Sequence, residues 1–116
     1  MPLTRVTYFK IPKVADQQAL IAYYRAMPTK AVKDGKPYIR SVRAGPAKDD
    51  PRSKGFTFAA ISVFDSLADM QYYDNGCAAH AELRSFAQSV HEGAMVVYFE
   101  DVLGEADETA ACGSSE

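Results

Sequence analysis

Four segments of the chain alternate residues with the two-residue period of a β-strand and are rich in β-branched and aromatic types. They span residues 4–11, 38–44, 56–64 and 95–102. Pro12 follows the first segment directly and should end that strand, because proline cannot donate to a strand ladder. The sequence therefore predicts four strands separated by longer connections.

Two further segments carry apolar residues at helical spacing. One is expected to run from a cap at Asp16 to Met27, where Pro28 should stop it. The other is broken into two helices: residues 66–75, which open with a capping-box pattern and close at an Asn-Gly turn, and residues 78–90. The resulting order, β-α-β-β-α-β, predicts an α+β, ferredoxin-like fold with a four-stranded antiparallel sheet.

The third and fourth strands are apolar on both faces. An antiparallel sheet with helices on one side normally leaves its other side polar. Here the uncovered face would expose an apolar patch too large for a monomer. We therefore expect a homodimer in which two sheets pack face to face as a dimeric α/β barrel.

The length of 116 residues suits one domain, which we place at residues 1–103. Residues 29–37 and 45–55 are expected to be exposed connections, and residues 104–116 an acidic, disordered tail. The N-terminus does not resemble a signal peptide, and no apolar run approaches the ~20 residues of a membrane span. We expect a cytoplasmic protein with Cys77 and Cys112 reduced and no membrane partner.

Charge is distributed unevenly along the chain, although the net charge is only −2. Residues 1–54 carry 12 basic and 4 acidic side chains, whereas residues 55–116 carry 1 and 11. A nucleic-acid face is one interpretation, but the sequence has neither a recognition helix nor an RNA-stacking motif. We favour mutual neutralisation of the two halves and expect no nucleic-acid partner. Arg40 and Arg43 either hold an acidic ligand group or pair with this second half.

The candidate chemistry gathers around His80, in the first turn of the last predicted helix. The partial positive charge of a helix N-terminus disfavours imidazolium, so His80 should be neutral and able to accept a proton. The alternative is a structural histidine at the edge of the core. His91, just after the same helix, is interpreted as a solvated residue. Two separated histidines without a Cys, His or Asp cluster predict no metal site.

The chain resembles the stress-responsive A/B barrel domain over residues 3–103. The resemblance lies in 41–45 (SVRAG), 55–58 (GFTF), 64–70 (FDSLADM) and Tyr73 followed by Ala79-His80. Members of that family include plant stress proteins without an assigned reaction and the polyketide cyclase that makes olivetolic acid. The resemblance implies a dimer. It also implies a reaction of the cyclase or lyase type that needs no cofactor.

By that resemblance His80 is a general base assisted by Tyr73 or Tyr72, with one extra residue between tyrosine and histidine. Adjacent tyrosines on a helix point about 100° apart, and Tyr73 is expected to face the pocket. Tyr23 or Tyr24 matches a tyrosine of the first helix, and either could instead pack in the core. The first strand offers Arg5 where the cyclase has a histidine. These residues are the candidate substrate contacts.

Our leading hypothesis is an apolar pocket that binds a small hydrophobic, oxygenated molecule. His80 would take a proton and Tyr73 would hydrogen-bond the developing oxyanion, as in a cyclase or lyase without cofactor. A non-catalytic, ligand-binding stress protein is the second hypothesis, favoured by a cavity well below ~300 Å³. A cofactor-free monooxygenase acting on a quinol-type substrate is the third.

Overall fold

The computed structural model describes residues 2–103. In chain order the elements are β1 (Leu3–Phe9), α1 (Val14–Lys30), β2 (Val32–Lys33), β3 (Lys36–Pro37), β4 (Ile39–Pro46), β5 (Phe58–Phe64), α2 (Leu67–Asn75), α3 (Ala78–Val90) and β6 (Ala94–Glu100). The main sheet is antiparallel, in the order β4-β5-β1-β6. The predicted ferredoxin-like α+β fold is confirmed. The predicted tail at 104–116 and Cys112 lie outside the described residues.

The helices cover one face of this sheet, and the core lies between them. Alternate residues of β1 are buried towards the helices, in the order Leu3, Arg5, Thr7 and Phe9. Phe58 and Phe64 of β5 are fully buried on the same face. Two of the buried β1 side chains, Arg5 and Thr7, are polar, which marks the region where they lie as unusual.

The opposite face of the sheet is apolar and has no cover within the described chain. By register, Val6 and Tyr8 of β1 share this face with Ile61 of β5 and with Met95, Val97 and Phe99 of β6. The side chains of Ile61, Met95, Val97 and Phe99 are 36–48% exposed. The predicted apolar character of both sheet faces is therefore confirmed. β6 is exposed along its whole length because it is an edge strand that the helices do not reach.

Helix α1 is longer at both ends than predicted. It begins at Val14 after Lys13, whose backbone carbonyl accepts hydrogen bonds from the amides of Asp16 and Gln17. Asp16 is therefore not the cap but an acidic residue in the first turn, where it complements the helix dipole. Pro28 does not stop the helix, which continues to Lys30 because buried Met27 and Ala31 anchor the last turn, with Ala31 N–H bonded to the Met27 carbonyl.

The segment predicted as a plain exposed connection, residues 29–37, contains the small β2–β3 hairpin. Asp34 and Gly35 form its two-residue turn with φ of 53° and 79°. Positive φ at both central positions is what a tight hairpin turn of this kind requires, and Asp-Gly is a preferred sequence for it. The hairpin is fixed to α2 by the Tyr72 hydroxyl, which donates to the Val32 carbonyl at 3.0 Å.

Ion pairs join the basic first half of the chain to the acidic second half. They are Arg5–Asp74 (2.9 Å), Lys30–Glu82 (2.7 Å), Lys33–Asp69 (2.9 Å) and Arg40–Asp65 (3.3 Å). This confirms the interpretation that the two halves neutralise each other, and it occurs within one protomer. Arg40 pairs with an acidic residue, as one of the two alternatives expected.

Candidate functional site

A cavity of about 150 Å³ lies between the polar stretch of β1, the adjoining end of β6 and one face of α3. Arg5, Thr7 and Phe9 of β1 form its floor, and Ala94 and Val96 of β6 form one side. The α3 side includes His80, Arg84, Gln88 and the residue after the helix, His91, while Tyr24 reaches in from α1. Val96 is 48% exposed, so the cavity opens to solvent beside β6.

The junction of α2 and α3 places His80 in this cavity. Ser66 caps α2 through a 3.1 Å hydrogen bond from the Asp69 amide, as predicted, and α2 ends at Asn75. Helix α3 starts after Cys77, a buried free thiol, and His80 follows in the first turn. The chain reverses here over two residues, so that Tyr73 near the end of α2 and His80 near the start of α3 are in contact.

The imidazole of His80 has a defined tautomer. Its Nδ1 lies 2.8 Å from the backbone carbonyl oxygen of Tyr73. A carbonyl oxygen only accepts hydrogen bonds, so Nδ1 carries the proton and donates. In the neutral ring Nε2 then keeps its lone pair, and this nitrogen is the proton acceptor of the site.

Burial lowers the pKa of His80 from 6.5 to about 4. The hydrogen bond to the Tyr73 carbonyl and the carboxylate of Asp74, whose Oδ1 is 4.0 Å from Nδ1, raise the pKa in part, while the guanidinium groups of Arg5 and Arg84 lower it. The prediction of a neutral His80 is confirmed. The largest cause is desolvation in the protein interior, whereas the prediction relied on the helix N-terminus.

Arg5 is a buried cation held by two partners. Its guanidinium donates to the Thr7 hydroxyl at 2.8 Å and to Asp74 Oδ1 at 2.9 Å, and it lies 5.2 Å from the centre of the Tyr73 ring. Its Nε makes no hydrogen bond within residues 2–103. A buried charge of this kind is retained only with strong compensation, which Asp74 supplies in part. Arg5 thus gives the cavity floor a fixed positive charge.

Tyr73 does not face the cavity, contrary to the expectation. It is 1% exposed and packs in the core between Phe64 and His80. Burial raises the pKa of Tyr73 to about 12, against smaller lowering effects of Arg5 and Ser62, so the hydroxyl stays protonated. That hydroxyl forms no hydrogen bond of good geometry within the described chain. The reason for the error is that the turn at Gly76 lays the ring of Tyr73 beneath His80 rather than beside it.

The remaining tyrosine candidates separate into two groups. Tyr24 lines the His80 cavity, and burial raises its pKa, so it is a neutral hydrogen-bond donor there. Tyr23 instead stacks on Phe86 at 5.1 Å and lines a separate groove with Met27. Tyr72 packs against Tyr38 and bonds the β2–β3 hairpin. The structure brings Arg5, Tyr24 and His80 together and leaves Tyr23 and Tyr72 outside this cavity.

Three polar residues of α3 and its C-terminus escaped the sequence analysis as site residues. Arg84, Gln88 and His91 all line the cavity. His91 is only partly solvated, because its ring packs 5.6 Å from Phe9 and its Nδ1 is buried. The signal was present: residues 4, 8 and 11 positions after His80 lie within 80° of it on a helix.

Within residues 2–103 no group of three or more His, Cys, Asp or Glu side chains is placed to hold a metal ion. In the same range no helix has the length and apolar character that crossing a bilayer would require.

A family model, the stress responsive A/B barrel domain, matches residues 3–101 of the chain. The chain belongs to this family. The resemblance stated from the sequence is therefore confirmed, with nearly the same limits. The chain is also 43% identical over 96 residues to a fusaristatin A biosynthesis cluster protein of Gibberella zeae, covering 82% of this chain and 70% of that protein.

Solved structures show the same fold at low sequence identity. A hydroxynitrile lyase from Passiflora edulis is 18% identical with a TM-score of 0.70, covering 84% of this chain and 91% of that one. A dimeric ferredoxin-like protein of unknown function from Thermobifida fusca is 13% identical with a TM-score of 0.71, covering 87% and 92%. A cofactor-independent oxygenase from Streptomyces nogalater is 12% identical with a TM-score of 0.65, covering 90% and 98%.

Proposed function

We propose that this A/B barrel protein binds a small oxygenated molecule in the His80 cavity and catalyses a cyclase or lyase step without a cofactor. The observation that carries the proposal is the His80 ring: buried, neutral, and fixed by the 2.8 Å hydrogen bond from Nδ1 to the Tyr73 carbonyl. A general base must hold a free lone pair within reach of the reacting proton, and Nε2 meets the first requirement. The name of the Gibberella zeae relative, a biosynthesis cluster protein, supports an enzyme of biosynthesis.

In a cyclase step Nε2 would take a proton from a carbon beside a carbonyl group, the enolate carbon would bond a second carbonyl carbon of the same molecule, and the new alkoxide would take the proton back. In a lyase step Nε2 would take the proton of a hydroxyl, the O–H electrons would form a C=O bond as the adjacent C–C bond breaks, and the leaving carbanion would take the proton. The imidazolium that forms is stabilised by Asp74, 4.0 Å from Nδ1. Tyr73 is a positioning residue, since its carbonyl sets the tautomer and its ring supports the imidazole at 3.7 Å.

Negative charge on the substrate oxygen needs a donor in the cavity. Arg5 and Tyr24 are the candidates, since both line the cavity, the first as a fixed cation and the second as a protonated hydroxyl. This assignment replaces the expected oxyanion role of Tyr73, whose hydroxyl points into the core. The name of the Passiflora edulis neighbour, a hydroxynitrile lyase, supports proton transfer chemistry on this fold.

We further propose that the protein acts as a homodimer. Its uncovered apolar sheet face, with Ile61, Val97 and Phe99 about one-third to one-half exposed, is the surface that a second copy would bury. The Thermobifida fusca neighbour is named as dimeric, which supports the same arrangement here.

A second candidate function is ligand binding without catalysis. The observation in its favour is the cavity volume of about 150 Å³, below the ~300–1,000 Å³ of usual ligand pockets. A cavity of this size accepts only a small compound, such as a single ring or a short acyl chain. Turnover separates the two candidates.

The test uses three substrate classes without added metal or cofactor: mandelonitrile, a linear 1,3-dicarbonyl thioester, and a hydroquinone followed by oxygen uptake. We expect turnover of one of the first two, and a loss of about 10²–10⁴-fold in His80→Gln. Lys36→Gln, an exposed change in the β2–β3 hairpin, is the control and should keep full activity. Activity of His80→Gln within about threefold of wild type would remove the general base role. Oxygen uptake alone would favour the quinol monooxygenase.

A further inference from the structure

We propose that Arg84 forms a second polar end of the His80 cavity that binds a carboxylate, so that the ligand is a small organic acid. This inference rests on the proposal that the cavity is the ligand site and names the class of molecule it takes. It assigns residues that neither the fold nor the family match accounts for.

Polar side chains follow one another along α3 on the side of the cavity. His80, Arg84, Gln88 and His91 all contribute to the wall of one cavity. Helix geometry puts Arg84 one turn, about 6 Å, from His80 along the axis, and His91 about 16 Å away. A ligand lying along α3 would therefore meet the proton acceptor first and the guanidinium one turn later.

The charge distribution also favours an anion here. Arg84 is the one Lys or Arg among residues 55–116, which carry 11 acidic side chains, and it is an exposed residue that lines this cavity. Lys30 and Lys33, by contrast, are paired with carboxylates. Arg84 forms no hydrogen bond or ion pair within residues 2–103.

No aspartate or glutamate of the described chain lines the cavity, whereas two guanidinium groups do, Arg5 and Arg84. Arg5 is already bound to Thr7 and Asp74. Arg84 therefore remains available for the planar, two-point hydrogen bonding that guanidinium and carboxylate groups form together. The cavity favours an anionic ligand group.

His91 lies at the far end of the cavity, where its ring packs against Phe9 of β1. Its Nδ1 atom is buried, so a ligand in the cavity does not reach this nitrogen. The carboxylate is therefore assigned to Arg84 alone.

The volume of about 150 Å³ restricts the acid to a small one. The probes are benzoate, phenylacetate and hexanoate, each compared with its neutral amide of the same shape. Binding to the full chain is followed by two-dimensional NMR, using the amides of Arg84, Gln88, Ala94 and Val96 as reporters of this cavity. Variants are Arg84→Gln, Arg84→Lys and, as matched control, Arg25→Gln on the exposed side of α1.

We expect at least one carboxylate to bind about tenfold or more tightly than its amide, because a charged hydrogen bond replaces a neutral one. Arg84→Gln should reduce that preference to below about threefold while leaving amide binding unchanged, and Arg84→Lys should keep part of it. Arg25→Gln should bind as wild type.

Equal binding of acids and amides, an unchanged preference in Arg84→Gln, or no shift of the cavity amides by any of the six probes would each overturn the inference. The loss of turnover in His80→Gln is measured with uncharged substrates as well. If the carboxylate preference is missing but His80→Gln still loses turnover of uncharged substrates, the proton-transfer proposal stands and the carboxylate inference fails. If carboxylates bind as expected but His80→Gln keeps its turnover, only carboxylate binding is supported.

Discussion

The imidazole of His80 lies face to face with the ring of Tyr73, with ring centres 3.7 Å apart and planes 17° from parallel. The same tyrosine supplies the carbonyl oxygen that accepts the hydrogen bond from Nδ1 of His80. One residue thus fixes both the plane and the tautomer of the proposed base. Both contacts depend on the short turn between α2 and α3, so the geometry is set by the backbone.

The His80 imidazole should stay neutral far below the usual titration range of histidine. Burial lowers its pKa to about 4, so its NMR signals should remain those of the Nδ1-protonated neutral ring from pH 8 to about pH 5. The measurement is a titration of the imidazole signals, with His91 as a second histidine in the same spectra. Titration of His80 near pH 6.5 would contradict the desolvated site.

The same shift predicts how stability depends on pH. The folded-state pKa of His80 is below its unfolded value of 6.5, so between about pH 4 and 6.5 the unfolded chain binds more protons and stability falls as pH falls. The part of the unfolding free energy that depends on a neutral His80 is fully present above pH 6.5. Lowering the pH removes at most roughly 3 kcal/mol of it. Urea unfolding at pH 7 and pH 4.5 measures it.

His80→Gln should show a smaller loss of unfolding free energy between those two pH values than wild type, because glutamine does not titrate. His91→Gln is the comparison that keeps His80 in place. If wild type and His80→Gln lose the same free energy, the pKa of His80 is not lowered by folding.

Tyr73 should tolerate loss of its hydroxyl but not of its ring. Tyr73→Phe keeps the stacking, and the backbone carbonyl is unaffected, so turnover should remain within about threefold of wild type, well short of the 10²–10⁴-fold of an acid–base group. Tyr73→Ala removes a fully buried ring and should cost about 3–5 kcal/mol of stability. A loss of 10²-fold or more in Tyr73→Phe, at unchanged stability, would instead assign the hydroxyl to the reaction.

Asp74 should matter for stability because Arg5 is buried. Asp74→Asn leaves the guanidinium without its counter-charge, which costs about 3–5 kcal/mol for a fully buried pair. Asp74 keeps about a third of its side chain exposed, so we expect the lower end, about 3 kcal/mol. Glu82→Gln breaks the exposed Lys30–Glu82 pair and should leave the unfolding free energy unchanged. Equal effects of the two changes would show that Arg5 does not depend on Asp74.

The uncovered sheet face should determine the oligomeric state. Wild type should sediment as a dimer at micromolar concentration, and Ile61→Asp should give monomers or aggregates, because it places a charge in the centre of the apolar face. Leu67→Asp changes a somewhat more exposed apolar residue on α2 and should leave the dimer intact. A wild-type monomer would remove the proposed barrel.

Much of the fold follows from local patterns in the sequence. Alternation predicted the four strands of the sheet, and the Ser66 cap and the turn before Ala78 predicted both short helices. The error at Pro28 has a physical cause: the preference of the residue before proline is local, and buried Met27 overrides it. The β2–β3 hairpin had a readable signal in Asp34-Gly35.

The site was less predictable, because a cavity depends on which side chains meet across elements. His80 was found from its position on α3, but the far end at His91 was not, since its burial comes from contact with Phe9, 82 residues away in the chain. The choice between Tyr72 and Tyr73 needed the path of the chain at Gly76. Helix spacing alone could have connected Arg84 and His91 to His80.

The position of β1 in the sheet has a consequence for synthesis of the protein. Within residues 2–103 the first strand in chain order, Leu3–Phe9, lies between β5 and β6, and the last is β6, Ala94–Glu100. A chain still on the ribosome therefore has an open edge on its central strand and lacks the wall that Ala94 and Val96 give the cavity. The four-stranded sheet can be completed only after translation has passed residue 100. A nascent chain stalled earlier would expose the unpaired edge of β1, which could pair with a strand of another chain.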